Sequence, residues 1–188
     1  MASRRGSPLT QSGTTLGRPT TPLGPGLGSW EALSGARPSL GPPTKLPSVA
    51  QLALLKGAAT SGAGLSASCR MCHRIGDQGA EYAPNLTGFA SRQTTEVVIN
   101  SIVNPSSDIA HGYEGTEFLL KDGTIIHGLA LTAGDPAVVQ TMGGATQMIP
   151  ADKIKTRKRM TRSLMMSAEQ LGLGAQEVAD VVAYLKTQ

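Results

Sequence analysis

Periodic apolar positions begin at Pro47. Ser48 is a candidate N-cap for a helix from Val49 to Lys56, with Leu52, Leu54 and Leu55 inside it and Gly57 closing it. A second helix is expected from about Ala63 into the Cys69–His73 stretch. An irregular, glycine-containing loop then runs to Gly88. Thr94 or Thr95 opens a helix through Val97, Val98, Ile102 and Val103, which Asn104-Pro105 stops, because a proline disfavours helical backbone at the residue before it. The period then changes. Gly115 to Lys121 and Thr124 to Leu131 read as strands joined by Asp122-Gly123, a strong hairpin signal. Ala137 to Met142 and Ala145 to Pro150, joined by Gly143-Gly144, predict a second hairpin. A basic run follows, and the chain ends in a helix from Ala175 to Lys186 with Val178, Val181, Val182 and Leu185 on one face. The expected class is mainly α, with a small antiparallel sheet of two hairpins at about residues 115–150.

Residues 1–47 carry no such period. They are rich in Gly, Pro, Ser and Thr, a composition that buries too little apolar surface to offset chain entropy, so a disordered tail or linker is expected there. Trp30 is read as a stray linker residue, with a docking role as the alternative. The folded domain is placed at residues 48–188, with no internal repeat.

Composition changes the picture in two ways. The only aromatic residues are Trp30, Tyr82, Tyr113, Tyr184, Phe89 and Phe118, too few to fill a core with ease; a large flat apolar cofactor would help fill it. The net charge of +4 suggests nucleic-acid binding until its position is considered. Residues 1–47 hold Arg4, Arg5, Arg18, Arg37 and Lys45 against Glu31, and the remaining body is neutral, with twelve basic and twelve acidic residues. No apolar run approaches transmembrane length.

Both cysteines of the chain fall in Cys69-Arg70-Met71-Cys72-His73. C-x-x-C-H is the attachment sequence of a c-type haem, in which two thiols bond to the vinyl groups and the imidazole ligates iron. Positions i, i+3 and i+4 of a helical turn share a face, so both sulfurs and the ring can address one porphyrin. Other readings exist. A thioredoxin-like dithiol would want a βαβ setting, and the preceding residues form no strand run. A structural zinc site needs four ligands, and beyond the motif only His111, His127 or a carboxylate remain to complete one.

His73 would fill one axial position of a haem iron. Candidates for the other are Met142, Met148, Met160, Met165, Met166, His111 and His127, while Met71 lies inside the attachment loop. Met142 and Met148 fall in strand patterns, where gap-filling is the expected role. His111 reads as a solvated turn residue and His127 as a sheet-face residue. The run Lys153, Lys155, Arg157, Lys158, Arg159 and Arg162 reads as a solvated face, with docking of an acidic redox partner as the alternative.

The order of the haem pentad, Ala83-Pro84-Asn85-Leu86, Asn104-Pro105-Ser106, Gly112-Tyr113-Glu114, Lys121-Asp122-Gly123, Ile149-Pro150, Ser163-Leu164-Met165 and Val182-Ala183-Tyr184-Leu185 resembles the haem-binding cytochrome c domain of Planctomycetes and Verrucomicrobia, over about residues 48–187. The resemblance implies a cytochrome c-like helical core around one covalent haem c, with a β insertion before the methionine loop. It makes His73 the proximal and Met165 the distal ligand, gives the Pro84 carbonyl the task of orienting the imidazole, and packs Tyr184 near the haem edge. There are departures: Ala83 stands where the family has glycine, Ser66 and Ser68 where it tends to have bulkier residues, and Met166 where a proline commonly follows the distal methionine. The last leaves Met165 and Met166 both open as the iron ligand.

The function expected is an electron carrier, with the iron cycling between ferric and ferrous under His/Met ligation. It would not be an enzyme, since no acid/base pair or nucleophile cluster accompanies the motif. Its partner would be a redox protein or dehydrogenase domain, with no nucleic acid involved. The alternatives are a haem enzyme or gas sensor with a labile sixth ligand, or a haem-stapled interaction domain of a larger exported protein. Bacterial haem attachment implies a periplasmic or otherwise exported location, although Arg4-Arg5 is followed by no apolar stretch of a signal peptide. The chain is therefore expected to start further upstream or to be part of a larger exported protein.

Overall fold

The structure is a computed structural model, described here for residues 45–188; the expected disordered tail up to residue 44, and Trp30 with it, lie outside the described residues. Among the described residues there are four α-helices: α1 (Val49–Leu52), α2 (Ala59–Leu65), α3 (Thr95–Val103) and α4 (Ala175–Leu185). Five strands, β1 (Thr116–Leu120), β2 (Ile125–Ala130), β3 (Ala137–Gln140), β4 (Thr146–Ile149) and β5 (Ile154–Arg159), form one sheet in the order β4-β3-β2-β1-β5. Every neighbouring pair is antiparallel.

The expected class was mainly α, a cytochrome c-like helical core with a two-hairpin insertion at about residues 115–150. That is corrected here. The longest helix has eleven residues and the shortest four, while the five-stranded sheet extends to Arg159 and has a core of its own. The architecture is α+β. The missing strand was hidden by its composition: all of β5 after Ile154 is polar and exposed, so it shows no alternation of buried and exposed positions. Its order comes from the backbone ladder with β1, in which Phe118 faces Arg157 and Glu117 faces Lys158.

The helices are also shorter than their apolar pattern suggested. Ser48 caps α1 through a reciprocal box with Gln51, but the helix stops at Leu52, which is fully buried while Leu54 is 85% exposed. The second helix begins earlier than expected and ends at Leu65. The chain then tightens into a 3-10 turn at Cys69–Met71, so the motif does not continue a long helix. In contrast, α3 starts on its Thr94 cap and ends at Asn104, and α4 buries Val178, Val181, Val182 and Leu185.

Two hydrophobic clusters result. The first joins Leu52, Ile75, Ala90, Val98, Ile99 and Ile102 to the buried face of α4. The second is the sheet's own: Phe118, Ala137, Val139 and Ile149, with Leu120, Ile126, Ala130 and Ile154 around them. The closest approach in the helical cluster is made by glycines. A Cβ at Gly62 would fall on the carbonyl of Asp180, and one at Gly57 on the carbonyl of Ala179, so α2 and α4 cross backbone against backbone. Asp180, itself buried, accepts from Ala58 N–H (2.8 Å) and from Gln176 Nε2 (2.9 Å), satisfying the start of α2, whose N-cap Ala58 has no side chain to do so.

Candidate functional site

The motif is a hydrogen-bonded turn. The Cys69 carbonyl accepts from Cys72 N–H (3.1 Å) and from His73 N–H (2.8 Å), and the second is the i to i+4 bond that brings Cys69 and His73 onto one face. The chain then doubles back along it. Tyr82 and Ala83 N–H both donate to the Cys72 carbonyl (3.1 and 2.9 Å), and Ala80 N–H donates to the Arg70 carbonyl (3.0 Å). Gly79 permits this return. Its φ is +104°, and a Cβ there would strike the His73 carbonyl.

This return loop delivers Pro84. The His73 Nδ1–H donates to the Pro84 carbonyl at 2.6 Å, which fixes the tautomer with Nε2 unprotonated; Nε2 has no hydrogen-bond partner among the described residues. The ring is buried, 8% exposed. Burial pushes its pKa down, with the Pro84 bond opposing in part, so the neutral imidazole is favoured. A neutral ring with one nitrogen tethered and the other free is the form that ligates a metal. Downstream, the loop is pinned by Leu86 N–H to the Arg74 carbonyl (2.9 Å), by the Asn85 side chain accepting from Thr87 N–H (2.8 Å), and by Thr87 Oγ1 accepting from Gly76 N–H (2.8 Å).

Cys69 and Cys72 are free thiols. Burial raises both pKa values, with Ser68 pulling Cys69 down and a bond from the Gly143 backbone pulling Cys72 down. A redox dithiol of the thioredoxin kind works through a lowered thiol pKa, and this environment does the opposite. Among the described residues no three His, Cys, Asp or Glu side chains converge as a metal site, so the donors of a closed tetrahedral zinc centre are not assembled. A c-type haem asks for less: two thiols that are not paired with each other, and one imidazole nitrogen. The donor chemistry of this turn fits that group.

Tyr184, on α4, lies against the motif. Its hydroxyl accepts from Arg70 Nη2 at 2.7 Å, and its ring lies 5.7 Å from the guanidinium carbon. Arg70 Nε is buried without a partner among the described residues. The structure thus joins Cys69, Cys72, His73, Pro84 and Tyr184. Met165 and Met166 lie in the wall of a cavity of about 580 Å³ lined also by Asn104, Pro105, Arg162 and Gln170. That wall is tied to the end of α3 by Ser163 N–H to Ser106 Oγ (3.0 Å) and by Ala168 N–H to the Ile102 carbonyl (2.9 Å). Met165 is half-buried and Met166 is 43% exposed. His111 is fully solvated beside Glu114, and His127 pairs across the β1–β2 ladder with Glu117 at 3.0 Å.

Sequence reasoning missed two members. Tyr82 is buried beside Cys72, and its phenol pKa is raised by burial and by that thiol. The Gly143 backbone, at the β3–β4 turn, acts to lower the Cys72 thiol pKa against its burial. The first had a signal, an aromatic two residues before Pro84; the second lies seventy-one positions from Cys72 and had none.

No family model matches this chain, nor does any curated protein. The functional reading therefore rests on the residues themselves.

Proposed function

We propose that residues 48–188 are an electron-transfer module carrying one haem c, attached through Cys69 and Cys72 and ligated on one side by His73. The observation that carries this reading is the 2.6 Å bond from His73 Nδ1 to the Pro84 carbonyl beside two unpaired thiols, which leaves Nε2 as a ready ligand. Haem held this way supplies a one-electron iron couple. The chain's own contribution is to orient and bury the imidazole, to keep the thiols protonated and apart until attachment, and to close the motif with the Tyr82–Pro84 loop and Tyr184. Met165 is the proposed second ligand, with Met166 as its rival; a thioether at that position raises the potential. An exported location follows from the same attachment chemistry, and the partner is a redox protein.

The test is spectroscopic. Oxidised protein made with a c-type haem maturation system should show the weak sulfur-to-iron band at the red end of the spectrum. Met165→Ala should abolish the band and Met166→Ala should leave it. Stopped-flow mixing with a redox dye should show rapid electron exchange. A reduced protein that is high-spin and binds CO readily would contradict the six-coordinate carrier and favour a sensor or enzyme.

A further inference from the structure

The neutral charge of the body conceals a strong separation. Residues 48–188 hold twelve basic and twelve acidic residues, and six of the basic ones (Lys153, Lys155, Arg157, Lys158, Arg159 and Arg162) fall within ten positions that contain no carboxylate. The rest of that body is left with six basic against twelve acidic residues, a net charge of −6. The positive pole is β5. It is the terminal strand of the sheet and pairs only with β1. Side chains alternate across a strand, so Arg157 and Arg159 leave from one face and Lys158 from the other, while Lys155 sits at a bulge where the ladder shifts register between Leu119 and Leu120.

Not all of these charges are free. Arg159 pairs with Glu114 at 2.7 Å, and the Arg157 guanidinium lies 5.3 Å from the Phe118 ring centre. Lys155 and Lys158 enter no ion pair among the described residues and both are exposed, with Glu117, opposite Lys158 in the ladder, paired to His127 instead. Charged edges also guard against sheet-to-sheet aggregation. A basic edge also steers and orients an approaching acidic partner.

We propose that the outer edge of β5 is a docking site for an acidic protein segment in extended conformation, added to the sheet as a sixth strand with its carboxylates against Lys155 and Lys158. Two features choose protein over other polyanions. The open ladder offers backbone donors and acceptors that only a peptide matches. Residues 153–162 also hold no aromatic side chain on which a base could stack. The inference does not rest on the haem assignment.

The experiment titrates the full chain with a fluorescent peptide of alternating Glu and Thr, and separately with duplex DNA and with phosphatidylglycerol vesicles. Lys155→Glu with Lys158→Glu should weaken peptide binding by about tenfold or more, while Lys56→Glu, which changes the charge by the same amount per residue at a distant exposed position, should stay within about twofold. The paired Lys→Gln variant should lie between, and it serves as the readout if the Glu pair fails to fold. Amide exchange over residues 154–159 should slow when the peptide binds. Equal weakening by Lys56→Glu, unchanged exchange along β5, or DNA or vesicles binding more tightly than the peptide through the same lysines would overturn the proposal.

Discussion

The helical region and the sheet solve the problem of a small core in opposite ways. The sheet is built from one uninterrupted stretch, residues 116–159, and its core of Phe118, Val139, Ala137 and Ile149 is contributed entirely by its own strands. The helical region is assembled from both sides of that stretch, and its helices of four, seven, nine and eleven residues are shorter than isolated helices need to be stable in water. It is held by α4 lying on α2 through Gly57 and Gly62, and it carries every member of the attachment motif. The difference teaches where the proposed haem would matter. Haem held by the helical region would add its binding energy to that region's core.

Substitutions can separate the two. Phe118→Ala empties the sheet core and should cost about 3–5 kcal/mol in denaturant unfolding, yet covalent haem attachment to Cys69 and Cys72 should survive it. If attachment is lost together with the sheet, the two regions are one cooperative unit. Gly62→Ala tests the other side. Its methyl group would meet the Asp180 carbonyl, so α2 and α4 must part, at a cost of roughly 1–3 kcal/mol. That change should lower haem incorporation, which Phe118→Ala should not. Asp180→Ala leaves the Ala58 N–H and Gln176 without their buried acceptor, for a loss of about 1–2 kcal/mol confined to the helical region.

The smallest effect belongs to Glu114, just before β1. Its pKa is lowered, first by its own backbone N–H and then by Gly112 N–H, Arg159 and His111, against some desolvation. A carboxylate whose folded pKa is depressed stabilises above its unfolded pKa, and that contribution is lost as the pH falls through the folded value. Glu114→Gln should therefore lower Tm modestly at neutral pH, and its deficit should close as the pH drops below the ordinary glutamate range.

What could be read in the sequence was what local chemistry dictates. The caps at Ser48 and Thr94, the stop at Asn104-Pro105 and the hairpin turns at Asp122-Gly123 and Gly143-Gly144 are set by neighbours in the chain, and elements stand at each. The class was misjudged because β5 owes its existence to β1 across a ladder and shows no apolar alternation. The Gly62 crossing and the Asp180 cap were invisible for a related reason: a glycine and an aspartate acquire those roles only when a helix from the far end of the chain arrives. At the site, the pentad and Pro84 could be singled out from the sequence because they lie close together in the chain. Tyr82 and Gly143 join them through the fold.

The central claim is that Cys69 and Cys72 hold one haem c with His73 as its ligand. Intact-mass analysis of the chain co-expressed with a c-type haem maturation system tests it most directly. The account predicts a single covalent haem per chain, absent when both cysteines are changed to alanine and retained in Met165→Ala. A folded chain that emerges from that system with both thiols free and no haem mass would contradict it.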